Sequence, residues 1–233
     1  MRRRLLLVSR TRYELPLSPS LERKFAALRE RFELRVLATA ADGRARDDGI
    51  FRLVPRLPLL DGPLFWLLLP LRIRRLAREL RPEAIVTQSP YEGALARLAR
   101  TRAKVIVEVH GDWRTATRLY GSRLRRAIAP AADAFGDRGV RGADAVRTSP
   151  VVYAEIVRAQ GVEPAAEFAA FMDLELFEGP PTPLPPEPAA LFVGVLERYK
   201  NVDGLARAWR LAAPRSPGAH LRLVGRGSQH ADA

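Results

Sequence analysis

The chain has 233 residues, 47% of them hydrophobic, enough to bury the core of one full domain and something smaller. It has no cysteine, which excludes disulfide frameworks, thiol chemistry and the commonest structural zinc sites, so a reducing compartment fits best. The formal net charge of +13 is carried almost wholly by arginine, since Lys24, Lys104 and Lys200 are the only lysines among 39 cationic residues. An anionic partner and a plain compositional bias toward arginine and alanine explain that charge about equally well.

Met1–Arg4 followed by the apolar Leu5–Val8 is too short for a signal-peptide core and lacks a small-residue cleavage site, so it reads as a first buried strand. Leu21, Phe25, Leu28 and Phe32 step at i, i+4, i+7 and i+11 and predict an amphipathic helix. Further strands are predicted at Leu34–Ala38, Ala84–Thr87, Val105–Val109 and Ala145–Thr148, most of them continuous apolar runs suited to burial on both faces. Between them, residues 64–78 join an apolar patch to an arginine-rich helix face. Ile73, Leu76 and Leu80 can pack such a helix on a sheet, and the same stretch can dock on an anionic membrane; packing is the favoured reading. No stretch reaches the roughly 20 apolar residues that span a bilayer. Ser149 and Pro150 form an N-cap and N1 pair before a helix over Val151–Gln160, closed by Gly161. Strands alternating with helices imply a doubly wound parallel sheet with its ligands at the carboxyl ends of the strands.

Residues 179–188 hold six prolines, which neither a helix nor a central strand sustains, so they read as an interdomain connector. The α/β pattern then restarts: a strand at Leu191–Val195, a loop through Lys200, a helix carrying Val202, Leu205, Ala206 and Trp209, and a strand at Leu221–Val224. The domains expected are 1–172, a linker 173–189 and an incomplete second unit 190–233.

Residues 191–209 (LFVGVLERYKNVDGLARAW) with 221–227 (LRLVGRG) resemble the opening of the donor-binding domain of glycosyltransferase family 4. Residues 107–112 (VEVHGD), 143–149 (ADAVRTS) and 173–177 (DLELF) are similar to that family's first domain and the segment leading into its hinge. The resemblance implies the GT-B fold class: an α/β, Rossmann-like N-terminal domain with a parallel sheet, followed by a second Rossmann-like domain.

It also implies roles. His110, at a strand end and followed by Gly111, faces the interdomain cleft near the reacting sugar, and Asp112 orients it or meets the acceptor. Lys200 contacts the donor diphosphate. The arginine usual directly after the first donor-domain glycine, Gly194, is replaced by Val195, leaving Arg198 as its substitute. Taken alone, Arg198 and Lys200 are equally ordinary loop charges, and His110 an ordinary strand-end histidine. Gly225 and Gly227 fit a loop approaching the nucleotide, or a plain turn. The glycine-rich turn usual after the first strand is missing, with Ser9–Pro16 in its place, which makes Tyr13 and Glu14 candidate acceptor contacts. Ser89, Tyr91 and Glu92 either line the acceptor cleft or simply cap a helix. His220 and His230 read as surface residues.

The expected function is transfer of a sugar from a nucleoside-diphosphate donor to a glycan or lipid acceptor with retention, with no cofactor, no metal and no nucleic-acid partner. As given, the chain is expected to be inactive for want of the rest of the donor domain. The expected location is cytoplasmic, and peripheral contact at the inner membrane face through residues 64–78 is the less favoured alternative to packing. The alternatives are a non-catalytic partner domain of a transferase and a basic nucleic-acid-binding α/β protein; arginine spread along the chain and only 7% aromatic residues weigh against the latter.

Overall fold

The computed structural model describes residues 2–55, 61–115, 123–149, 151–169, 174–184 and 186–227. In chain order these form β1 (Arg3–Tyr13), α1 (Pro19–Arg31), β2 (Phe32–Ala40), β3 (Arg46–Asp47), β4 (Phe51–Val54), α2 (Asp61–Leu80), β5 (Ala84–Thr87), α3 (Pro90–Leu98) and β6 (Lys104–Val109). There follow α4 (Arg123–Arg141), β7 (Ala145–Thr148), α5 (Val151–Arg158), β8 (Ala166–Glu167), β9 (Ala189–Val193), α6 (Val202–Ala212) and β10 (His220–Val224).

Eight strands make one sheet in the order β3-β4-β2-β1-β5-β6-β7-β8, parallel throughout except for the β3–β4 pair. Because strand side chains alternate between faces, Leu6 and Val8 of β1 join Ile85, Val107, Val109 and Val146 on one side. Leu5 joins Leu34, Val36, Phe51 and Val86 on the other. Helix α2 covers the first side with Phe65, Leu69, Ile73 and Leu76, none more than 3% exposed. Each such side chain contributes roughly 2 kcal/mol of burial free energy. Helix α1 covers the second with Phe25, whose ring meets Tyr13 and Phe51 edge-on at 5.7 and 4.8 Å between centroids.

Several local expectations shift. Phe32 does not continue the stripe of α1 but opens β2, because the helix passes directly into extended backbone there. The segment after Val8 stays in the sheet: beyond a register irregularity, Arg12 and Tyr13 pair with Thr39 and Ala40. Strands β3 and β8 went unanticipated because two residues are too few for a period to show, and β4 because its strand character comes from pairing with β2. Helix α5 ends at Arg158, and Gly161 (φ 76°) takes the left-handed conformation expected past its end. Pro150 lies outside the described residues.

β9 and β10 form a separate two-stranded parallel sheet, Ala189 to Val193 against His220 to Val224. Its first strand begins two residues before the expected Leu191. One face is open, leaving Leu191 65% and Val193 70% exposed, while Phe192, Leu221 and Leu223 on the other are half-buried.

Candidate functional site

From β1 the sheet grows one way through β2 and β4, and from β5 it grows the other way through β6, β7 and β8. The carboxyl ends of β1 and β5 therefore border the point where the strand order reverses, the place where doubly wound sheets open a crevice. Glu92 sits there, 2% exposed. Its two carboxylate oxygens accept main-chain N–H groups from Arg10, just past Val8 in β1 (2.7 Å), and from Gln88, just past β5 (3.0 Å). Ser89 is the N-cap of α3, its hydroxyl accepting the Glu92 N–H at 3.3 Å. This is a capping box extended across two strands. Burial pushes the Glu92 carboxyl up to about 7, outweighing the main-chain donors that pull it down.

His110 directly follows β6 and is about half exposed. Two residues earlier on the same strand face, Glu108 reaches His110 Nε2 at 3.5 Å and accepts from Arg147 Nη1 at 2.7 Å. Arg147 is the direct cross-strand partner of Glu108 in β7. Phe168 closes the group: its ring meets His110 edge-on at 5.3 Å, and the Arg147 guanidinium lies 4.8 Å over its centroid. His110 is thus held by a carboxylate and a ring, so that imidazole, carboxylate and guanidinium share one sheet edge.

Asp112 does not do the orienting. Its carboxylate accepts from the Arg114 N–H (3.0 Å) and the Thr115 hydroxyl (3.2 Å), capping the helical turn at 113–115. The carboxylate beside the histidine is Glu108, legible in the sequence as the one acid in an apolar strand, at the i, i+2 spacing that shares a face with His110. A Cβ on Gly111 would meet no atom of the described residues within 4 Å.

The acceptor-side candidates separate. Tyr13 is 5% exposed and packs in the aromatic group of α1 and β4, so its ring serves the core and not a cleft. Glu14 is exposed just beyond it. Tyr91 donates its hydroxyl to the Trp113 carbonyl at 2.8 Å and lies edge-on to Trp66. Ser89 and Glu92 do the capping work described above. The crevice edge thus brings together Arg10, Gln88 and Glu92 at β1 and β5, and Glu108, His110 and Arg147 at β6 and β7.

The donor-side candidates belong to the second sheet. Lys200 ends a short 3₁₀ turn (Arg198–Lys200) just before the N-terminus of α6, with Nζ 5.1 Å over the Tyr199 ring. A cation beside a helix N-terminus is suited to a diphosphate. The Arg198 side chain lies outside the described residues. Gly194, Gly225 and Gly227 have a packing reason: Gly194 N–H and Leu196 N–H donate to the carbonyls of Val224 and Arg226, both at 3.0 Å. A Cβ on Gly225 would run into the Gly194 carbonyl oxygen, and one on Gly227 into that of Leu196. His220 is exposed, 3.8 Å from Glu187, and His230 lies outside the described residues. Among the described residues no group of His, Asp or Glu is placed to hold a metal, and no helix is long and apolar enough to cross a membrane.

Residues 18–168 match the family described as the glycosyl transferase 4-like domain, well over half of the chain. No curated protein matches the chain by sequence. Among solved structures, sucrose-phosphate synthase from Thermosynechococcus elongatus superposes with a TM-score of 0.65 at 13% identity, over 96% of this chain and 62% of that one. UDP-N-acetylglucosamine 2-epimerase from Rickettsia bellii gives 0.52 at 12%, over 96% and 62%. A UGT transferase from Siraitia grosvenorii, solved in complex with UDP, gives 0.50 at 12%, over 97% and 74%. The chain thus spans about three fifths of the length of the first two, and at these identities the likeness is one of fold, the GT-B architecture. With that fold and the match over residues 18–168 in agreement, the chain belongs to the glycosyl transferase 4-like domain family.

Proposed function

We propose that this chain supplies the acceptor side, residues 1–172, and through residues 190–233 the first part of the donor side, of a transferase that moves a sugar from a nucleoside diphosphate to a glycan or lipid hydroxyl with retention. The observation that carries this reading is His110, fixed by Glu108 and Phe168 at the carboxyl edge of a sheet whose residues match a glycosyltransferase family. An imidazole held at that edge can accept a hydrogen bond from a sugar hydroxyl or move its proton. Gly111, where a Cβ would meet none of the described residues, lets the sugar approach the backbone. Ser89, Tyr91 and Glu14 border the acceptor, and Asp112 shapes the turn beneath it.

On the donor side, negative charge grows on the diphosphate as the glycosidic bond breaks, and Lys200 with Arg198 at the start of α6 supplies fixed positive charge for it. The UDP bound to one solved relative supports a nucleoside-diphosphate donor. The exposed Leu67 and Leu71 of α2 fit a peripheral membrane contact that would present a lipid acceptor.

The test is calorimetric titration with UDP-, GDP- and ADP-glucose. Lys200→Ala should weaken whichever binds by about tenfold, the worth of one charge-assisted contact to phosphate. A chain that binds none of the three, or whose affinity ignores the loss of Lys200, would overturn the donor assignment.

A further inference from the structure

At the opposite edge of the large sheet, where β5 and β6 begin, a cavity of about 530 Å³ is lined by Arg74, Arg78, Arg81, Arg100 and Arg102. Ala77, Pro82, Thr101 and Ala103 complete its wall, and among the described residues no carboxylate lines it. The length of β6 separates this cavity from His110, on the order of 20 Å at 3.3 Å per residue.

The acids adjacent in sequence to this cavity's lining, or paired with its strands, are engaged elsewhere. Glu79 pairs with Arg75 at 3.4 Å, and Glu83 accepts the Arg4 N–H at 3.4 Å. Asp144 accepts the Val105 N–H at 2.7 Å and pairs with Arg97. None of the five cavity arginines has an ion pair among the described residues. The C-termini of α2 and α3 converge here, and each brings about half a negative charge that favours arginine and opposes an anion. Five guanidinium charges exceed that by about four, so the cavity remains strongly cationic.

The backbone adds an independent observation. Arg81 (φ 51°) and Arg100 (φ 50°) both occupy the left-handed position just past a helix end, closed by the Arg81 N–H to Ala77 and Arg100 N–H to Arg97 bonds. Glycine or asparagine is the usual occupant of that position. Here both positions carry arginine, and both side chains line the same cavity. Helix capping alone gives no reason to favour arginine over glycine there; a ligand does.

We propose that this cavity binds a ligand bearing clustered phosphate groups, at a site separate from the transferase edge. Arginine's planar fork bonds phosphate oxygens in pairs, and its charge does not titrate in the working range. Neutralising several guanidinium groups at once requires more than one phosphate or a multiply charged one, which a polyphosphate or a crowded phospholipid surface supplies.

The experiment titrates the full chain with tripolyphosphate by calorimetry at constant ionic strength, comparing wild type, Arg81→Gly/Arg100→Gly and Lys200→Ala. Because glycine suits both backbone positions, the double variant keeps the wild-type melting temperature or exceeds it, so lost binding is not lost folding. The expected result is an affinity at least about tenfold weaker in the double variant, while Lys200→Ala retains the site. Co-sedimentation with phosphatidylcholine vesicles containing phosphatidic acid separates the sources. Vesicle binding that the double variant loses and tripolyphosphate competes away assigns a lipid headgroup. Tripolyphosphate binding without vesicle binding assigns a soluble polyphosphate. Absence of both in the wild type, or binding unchanged within twofold in the double variant, overturns the site.

Discussion

Glu92→Gln isolates the energetics of the buried carboxyl at the sheet's reversal point. The wild-type carboxyl is raised from 4.5 to about 7, chiefly by burial, so the folded protein holds a proton over a pH range in which the unfolded chain has released it. The native state binding more protons means that stability falls as pH rises through that window and is level above it. A gap of about 2.5 pH units at 1.36 kcal/mol each gives a total loss of about 3 kcal/mol, of which roughly 2.5 kcal/mol falls between pH 5 and pH 8. Glutamine keeps one carbonyl oxygen for a main-chain donor but turns its amide toward the other, a constant cost of about 1–2 kcal/mol at every pH. That constant cancels when the difference between variant and wild type at pH 8 is compared with the difference at pH 5, as do all other titrating groups. Urea unfolding at the two pH values should show the glutamine variant gaining about 2.5 kcal/mol on the wild type between them. A difference that stays the same within about 0.5 kcal/mol would refute the claim that burial governs this carboxyl.

Other consequences are more local. A Cβ at Gly139 of α4 would strike the Pro90 carbonyl oxygen at the start of α3, so Gly139→Ala should cost about 1–3 kcal/mol and lower the melting temperature by several degrees. An unchanged melt would show that the two helices separate easily. Glu108→Gln leaves Arg147 without its charged partner and should cost about 1 kcal/mol in chemical denaturation while lowering any transfer that depends on a held His110. Hydrogen exchange should be slowest in β1, β5 and β6 and much faster in β9 and β10, because a two-stranded sheet with an open face buries too little to resist local opening. Equal protection in the two sheets would contradict that ordering.

The large sheet was legible because its central strands are short runs rich in β-branched apolar residues, as Ala84–Thr87 and Val105–Val107 show. The edge strands were not, because pairing decides them. Phe51–Val54 acquires strand character by lying beside β2, Arg46–Asp47 by lying beside β4 in turn, and Arg12 and Tyr13 stay in the sheet because Thr39 and Ala40 continue next to them. Phe32 was misread for a related reason: it fits the period of α1, but the partner strand takes it at its first position.

The site was legible as positions and illegible as roles. His110 stood out by chemistry, while Asp112 was read either as its orienting acid or as an acceptor contact. Glu108, two residues before His110, lies in β6 and shares its face, whereas the strand has ended before Asp112, two residues after it, so the same spacing carries no shared face there. Likewise Glu92 drew notice in a segment that opens a helix, as a cleft or capping residue, but only the meeting of β1 with β5 reveals that it is bound by main-chain donors from β1 and from just past β5. Its bonds tie the end of β1 to the start of α3. A ligand that moved either segment would have to break buried hydrogen bonds, and for that reason the crevice should be largely formed before anything binds in it.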